Sequence, residues 1–583
     1  MRYVLFATAG HVDHGKTALI KALTGIDTDR LPEEKKKGMS IDLGFAYLDF
    51  PEIDIRVELI DIPGHERFIK NAIAGLVSVE AILLVVDPAE GIMKQTLEHV
   101  KVAKALGIKK GIAVIAKVDK YDEELISLAE EELREFLTKE DLNFSIVKVS
   151  AKTGYGLENL KENLKSLLKD YKNNKQELSL KILVDSAFNV KGYGTVIRGS
   201  CIEGYIEESD KVILEPQGIE LNVRKIQNHG SFVKKAVAGE RLAINVPEID
   251  KKVVKRGDWI LKPGTYVKTK NLIVELDVDI KISSLYLCFF GMKEVKGKFS
   301  KLNENIYLLK TENFIVTKRE ERFIVLNSSR GFIGGGIVLH PQPRILKKKF
   351  IKENLSYLIE CFELYLLEEY GNKGIKGSTI KLLKGKDPDL KVLNKEALKI
   401  GDRFYSKRTI ENINIKVKEY LDKKFSQKIY GVKKDEIRSK LSLKEEVLQE
   451  IIRNLNGYKI IEDFVVSVNK SDFTQSPEFR RLMELLSESI KEEREILNEG
   501  ISEEILSLAI RKKFVHNLGN YLLISDKLLK EYIYKLRELG NSFSIQDAKK
   551  KLNLSRKYLI PFLEYLDLLG FTVRQGNFRA WRK

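Results

Sequence analysis

The stretch GHVDHGKT, Gly10 to Thr17, decides how the first part of this chain folds. An apolar run, RYVLFATA, leads into it and a helical pattern follows. Its spacing is GxxxxGK[ST], the strand–loop–helix signature of a phosphate-binding loop. The glycines let successive backbone N–H groups wrap phosphate oxygens at a helix N-terminus. Asp13, His14, Gly15, Lys16, Thr17 and Ala18 are therefore candidate phosphate-binding residues. Lys16 is expected to reach the β- and γ-phosphates, and the Thr17 hydroxyl to hold Mg²⁺.

Outward from the loop, apolar runs alternate with helical patterns: VELIDIPG, AILLVVD, GIAVIAKVD and FSIVKVSA. That rhythm is βαβ, hence a mostly parallel sheet with helices on both faces, expected over residues 1–175. DIPGH begins at Asp61 on a strand end, which suits Asp61 to the second Mg²⁺ position. Gly64 can bring its amide to a γ-phosphate with no side chain in the way. AKVD places Lys117 and Asp119 after a later strand, where the Asp119 carboxylate can accept two hydrogens from guanine N1 and N2. Adenine lacks that donor pair. SAK (Ser150, Ala151 and Lys152) lies one strand further on and can offer amides to guanine O6. Four motifs in this order predict a GTP-hydrolysing domain that binds GTP/GDP and Mg²⁺.

HVDHGKT and DIPGHERF resemble the translational GTPases of the elongation factor Tu group. The resemblance implies that His65 orients the water that attacks GTP once the ribosome positions it. KKKGMSIDLGF resembles the first switch of that group, which makes Ser40 the residue that closes on Mg²⁺. Ala116 stands where many GTPases carry asparagine or threonine. From about Leu178, short alternating strands broken by glycines read as a small closed antiparallel barrel. Within it GYGTVIRG, Gly192 to Gly199, resembles a segment of the group's second domain. Two antiparallel β-barrels are expected, over 176–264 and 265–344. In the group the second domain holds the aminoacyl end of a charged tRNA, so Asp185, Arg224 and His229 are candidate pocket residues.

Ordinary members of the group stop after the third domain, whereas this chain continues from about Ile345 with helix-rich sequence. KDEIRSKLSLKEEVLQEIIRNLNGYKIIEDFVVSV, from Lys434, aligns with IQDAKKKLNLSRKYLIPFLEYLDLLGFTVRQGNFRAW, from Ile545, and a weaker copy starts at Leu497. Each shows a helix, a turn, an amphipathic second helix, a glycine stop and a two-stranded wing, the pattern of tandem winged-helix (α+β) repeats. Four units are expected, at 345–413, 414–470, 471–525 and 526–583. The last carries 13 Lys or Arg against 6 Asp or Glu. Arg556, Lys557 and Tyr558 open its second helix, and Arg574, Phe578 and Arg579 mark its wing. Strand alternation places Arg574, Gly576 and Phe578 on one face, and an aromatic among cations suits the unpaired bases of an RNA hairpin loop. A scaffold repeat, a DNA-binding regulator and a protein-docking module are the other readings of this tail.

The formal charge of +17 favours polyanionic partners, although a Lys/Glu-rich surface of thermophile type has a similar composition. No apolar run reaches the roughly 18 residues of a membrane span, and Cys201, Cys288 and Cys361 fit neither a disulfide framework nor a CxxC metal site. A soluble, cytoplasmic monomer with no membrane partner is expected. Over its whole length the chain resembles the bacterial selenocysteine-specific elongation factors, the SelB family. That resemblance implies three partners: selenocysteyl-tRNA, an mRNA hairpin gripped by the last winged helix beside a UGA codon, and the ribosome. A selenocysteine side chain is more acidic than cysteine and is an anion at neutral pH, so Arg224 with His229 nearby is expected to hold it.

Overall fold

The computed structural model describes residues 2–28, 42–64, 69–282, 284–426, 430–468 and 473–582. Ser40 and His65 lie outside them. In the first domain, β1 (Arg2–Ala9), β2 (Gly44–Phe50), β3 (Ile55–Asp61), β4 (Ala81–Val86), β5 (Lys110–Ile115) and β6 (Ser145–Lys148) form one sheet. Their order is β2-β3-β1-β4-β5-β6, parallel throughout except that β2 runs antiparallel to β3. β4 reads AILLVV with every residue buried, as a strand covered on both faces must. Its alternate residues feed two cores. Leu84 and Val86 pack with Ile73, Val100 and Leu133, and Leu83 and Val85 with Leu19, Ile20 and Leu164. The loops that leave β1, β3, β5 and β6 emerge together at the carboxyl edge of the sheet, where α/β folds bind ligands.

The next domain encloses one core with its strands paired in two sets. Among the described residues its ladder is an eight-stranded antiparallel sheet plus a separate ribbon, Tyr205–Glu207 against Lys235–Val237. The ribbon is not paired with the larger sheet, yet its Ile206 and Ala236 complete the single core. The third domain closes, with six strands from Val267–Leu276 to Phe332–His340 forming a barrel.

Two compact units make up the chain: residues 1–369 with 376–393, and residues 370–375 with 394–583. In the second unit each complete winged helix has a leading helix, a short strand, two helices and a hairpin. In the second of the four repeats these are Lys407–Ser426, Gly431–Lys433, Lys434–Leu441, Glu445–Asn454, and Tyr458–Ile461 with Phe464–Ser467. The short first strand pairs with the last, so the wing belongs to a three-stranded sheet where the sequence showed two strands. The boundary expected at 413 falls inside the helix Lys407–Ser426. Ile410, Ile413, Val417, Leu421 and Phe425 make one buried stripe along that helix, which ties it whole to this repeat. Neighbouring repeats share cores. Phe464 and Val466 pack with Phe479 and Leu482, and Ile490 and Ile524 with Leu559 and Phe562. Among the described residues no helix is long and apolar enough to cross a membrane.

Candidate functional site

The loop after β1 is held from behind before it meets any ligand. Gly10 has a φ of 138°, and a Cβ there would lie 2.2 Å from the Val85 carbonyl oxygen. Its N–H donates to His99 Nδ1 at 3.2 Å, and the Val12 N–H donates to Gln95 Oε1 at 3.2 Å. His99 and Gln95 lie one turn apart on the helix Lys94–Ala105. Burial pushes the His99 imidazole down to about 3, so Nδ1 stays an acceptor. Nothing in the spacing of GHVDHGKT points to these two braces, because they come from a distant helix.

Lys16 is 7% exposed, and its Nζ donates to the His11 carbonyl at 2.5 Å. Burial lowers its pKa to about 8 against the pull of Asp61 and Asp13, so a phosphate arriving there would restore a full positive charge. Gly64 lies directly on the loop: a Cβ would fall 2.6 Å from the Val12 nitrogen and 2.7 Å from Lys16 Nζ. Asp13, exposed and at a φ of 62°, and Gly15, at 91°, shape the bend that leads into the helix beginning at Lys16; Ala18 lies in its first turn. His14 does not face the loop's concave side. Its ring is buried, with Nδ1 at 3.2 Å from the Val85 carbonyl and Nε2 at 3.0 Å from Glu90 Oε2, so only its backbone can serve a phosphate.

Thr17 Oγ1 donates to Asp61 Oδ2 at 2.7 Å, and Thr8 Oγ1 to Asp61 Oδ1 at 2.8 Å. A hydroxyl and a carboxylate are hard oxygen donors. Together with phosphate oxygens and waters they fit a Mg²⁺ ion, which seldom takes an all-protein cage. Among the described residues no group of three or more His, Cys, Asp or Glu is clustered for a metal.

At the far end of the sheet, Lys117 Nζ pairs with Asp87 Oδ2 at 2.8 Å, which lays the lysine stem beside the loop. Its Cε comes within 3.7 Å of where a Gly15 Cβ would be. Asp119 accepts from Ser150 Oγ at 2.6 Å, a bond that holds its carboxyl below the usual range. Ser150 spends its own N–H on the Tyr155 carbonyl at 2.9 Å, which leaves the amides of Ala151 and Lys152 to face a guanine O6.

A second site lies between β2 and the second domain. Phe45, Tyr47, Glu58, Arg198, His229 and Arg241 line a cavity of about 280 Å³. Asp185 is paired here with Arg241, Nη2 to Oδ2 at 3.0 Å, whose guanidinium stacks 3.4 Å from the Phe45 ring centroid. Burial raises the Asp185 pKa while Arg241 pulls it back. Arg224, expected here, is exposed and absent from the lining. It stands three residues before Gln227, out of phase with the positions 227 and 229 that face the cavity. His229 does line the cavity, but its Nε2 is engaged by Glu58 Oε1 at 2.6 Å and its ring lies 4.5 Å from that of Tyr47. The residue that sequence reasoning missed is Arg198. It sits directly across the ladder from Ser186, stacks on Phe188 at 4.9 Å, and has no carboxylate partner among the described residues.

The last wing divides its residues differently from the expectation. A two-residue turn sets Gln575 opposite Phe578 and Arg574 opposite Arg579, so alternation does not carry across the hairpin and Arg574 and Phe578 occupy opposite faces. Phe578 is 54% exposed, and Arg574 and Arg556 are exposed too. Arg579 is the correction: it is 4% exposed, and its Nε donates to Asp567 Oδ2 at 2.9 Å. Thr572 Oγ1 holds the other carboxylate oxygen at 2.6 Å, so Arg579 braces the wing from inside. Lys557 pairs with Glu492 of the preceding repeat, and Tyr558 is half-buried against the shared core.

Residues 1–170 match the model of the elongation factor Tu GTP-binding domain. Residues 345–401, 407–467 and 475–525 match the first, second and third winged-helix domains of elongation factor SelB, and 535–581 match a further SelB winged helix. A selenocysteine-specific elongation factor from Desulfomicrobium baculatum is 29% identical, with both chains fully covered. The crystal structure of a bacterial selenocysteine-specific elongation factor, EF-Sec, is 55% identical, covers both chains fully and superposes with a TM-score of 0.90. SelB from Methanococcus maripaludis in complex with the GTP analogue GPPNHP is 25% identical over 58% of this chain and 79% of its own, with a TM-score of 0.52.

Proposed function

We propose, on the premise that the chain belongs to the family of selenocysteine-specific elongation factors, a division of labour among its residues. The chain is a translational GTPase that binds guanine nucleotide. Lys16 and the amides of Asp13 to Ala18 hold the phosphates, Asp119 reads the guanine N1 and N2 hydrogens, and Lys117 flanks the loop. Mg²⁺, held by Thr17, Asp61 and Ser40, would neutralise charge on the β- and γ-phosphate oxygens. His65, next after Gly64, orients the attacking water on the ribosome. Hydrolysis then needs no covalent intermediate, only positioning.

The cavity beside β2 receives the aminoacyl end of selenocysteyl-tRNA. The observation that carries this reading is Arg198, a guanidinium with no carboxylate partner among the described residues, facing the same space as the Asp185-bound Arg241. Arg241 is offset by Asp185 and Glu58 is engaged by His229, so Arg198 is the cation left to hold a selenolate, an anion that a guanidinium binds better than a neutral seryl hydroxyl. Arg198→Ala should lower affinity for selenocysteyl-tRNA about tenfold or more and leave seryl-tRNA binding unchanged. An equal loss for both would sink the assignment. Arg556 and Lys557 on the helix, with Arg574 and Phe578 on the two faces of the wing, are the contacts for an mRNA hairpin, and Tyr558 packs against the core. The factor acts in the cytoplasm as a monomer, and hairpin binding raises its effective concentration at one codon.

A further inference from the structure

Asp61 is 1% exposed, and a carboxylate so buried must have its lone pairs satisfied. Three threonine hydroxyls do this. Thr8 donates to Oδ1 at 2.8 Å, and Thr17 and Thr28 both donate to Oδ2, at 2.7 and 2.9 Å. Thr8 is itself fixed, because its Oγ1 accepts from the Ile62 N–H at 3.2 Å. Thr17 belongs to the phosphate loop and Thr8 to β1, but Thr28 belongs to neither motif. It is 4% exposed and is the last described residue before the segment that carries Ser40.

The far end of that segment arrives at the same place. Gly44, the first residue of β2, pairs with Asp61 in the ladder with β3. A Cβ on Gly44 would lie 2.5 Å from Thr28 Cβ and 3.1 Å from Asp61 Cβ, so the glycine makes room for the threonine to reach the carboxylate. Both roots of the segment therefore converge on one side chain. We propose that Thr28 is a positioning residue for the Mg²⁺ site, holding Asp61 in its metal-facing pose and tying the root of the first switch to it. The proposal rests on the reading of Thr17 and Asp61 as the metal's protein ligands. Thr17 would serve the metal through a lone pair of its oxygen, which leaves its O–H free to go on donating to Asp61. Thr28 on the same carboxylate oxygen, and Thr8 on the other, keep the carboxylate plane fixed.

The test is the Mg²⁺ dependence of GDP release from the full-length protein, followed with a fluorescent GDP analogue. Thr28→Val keeps the shape and removes the hydroxyl, whereas Thr28→Ser keeps the donor. Thr28→Val should raise the Mg²⁺ concentration that half-suppresses release by about tenfold, the effect of losing a hydrogen bond to a charged acceptor. Thr28→Ser should restore most of it. In excess EDTA all variants should release GDP at the wild-type rate. If Thr28→Val accelerates release equally in EDTA, the residue only packs the domain and the proposal falls. Asp61→Asn separates the two claims. If it shifts the Mg²⁺ midpoint while Thr28→Val does not, Thr28 has no positioning role. If Asp61→Asn shifts nothing, the ligand assignment itself is wrong. Melting temperatures within about 2 °C of wild type for Thr28→Ser and Thr28→Val identify properly folded variants.

Discussion

Replacing Arg579 with alanine removes a guanidinium that is 4% exposed and bound to Asp567 at 2.9 Å. Asp567 keeps Thr572, and its side chain is 25% exposed, so water can partly replace the lost partner. The cost is then that of a charge-assisted hydrogen bond, about 1.5–3 kcal/mol, rather than the larger penalty of a fully buried ion pair. The three-stranded sheet carrying the wing has strands of three or four residues, so opening there is local. Native-state hydrogen exchange on the amides of Thr572 to Gln575 and Phe578 to Trp581 should speed up about ten- to a hundredfold. Arg574→Ala, at an exposed site, should leave those amides unchanged. It should weaken hairpin binding by about tenfold and reduce the salt slope by about one. Unchanged wing protection in Arg579→Ala, with hairpin affinity lost as in Arg574→Ala, would refute the division between brace and contact.

His99→Phe should orphan the buried Gly10 N–H and speed GDP release about tenfold, whereas His99→Asn, which keeps an acceptor near Nδ1, should release nearly normally. Burial holds His99 down at about 3, so its contribution to stability is full above about pH 6.5 and is lost as the pH falls towards 3. The slope is at most about 1.4 kcal/mol per unit, and urea titrations of His99→Asn should show it removed. Glu504 runs the other way. Burial beside Glu478 raises its carboxyl to about 8, so the stability it supports is full below about 4.5 and is lost as the pH rises through 8. Glu504→Gln should therefore raise the urea midpoint of the C-terminal unit at pH 8 and leave it unchanged at pH 5. In competition, a short RNA hairpin should displace duplex DNA from the full-length protein, with affinity falling steeply between low and moderate salt; a preference for duplex would contradict the RNA reading.

The nucleotide motifs were legible because each is short and sits at a strand end. Lys16, Thr17, Asp61, Asp119 and Ser150 fall along one edge of the sheet as their spacing required. The braces His99 and Gln95 were not legible, since a helix of ordinary amphipathic pattern hides which polar residue turns inward. His14 sits inside the motif, but that its ring turns inward to Val85 and Glu90 and leaves only the backbone for a phosphate was not legible either. In the second domain Asp185 was visible while its true partner Arg241, fifty-six positions on, is set by strand order. Arg198 became visible only through its register with Ser186. In the tail the repeat fixed four units, but the helix boundary at Lys407 and the inward turn of Arg579 depend on packing, which repeat spacing does not encode.

The most direct measurement is protection of selenocysteyl-tRNA from spontaneous deacylation by the wild-type protein, with GTP or GDP present and seryl-tRNA as the control. The account predicts strong protection of selenocysteyl-tRNA with GTP, little with GDP, and little for seryl-tRNA with either nucleotide. Equal protection of the two aminoacyl-tRNAs would contradict it.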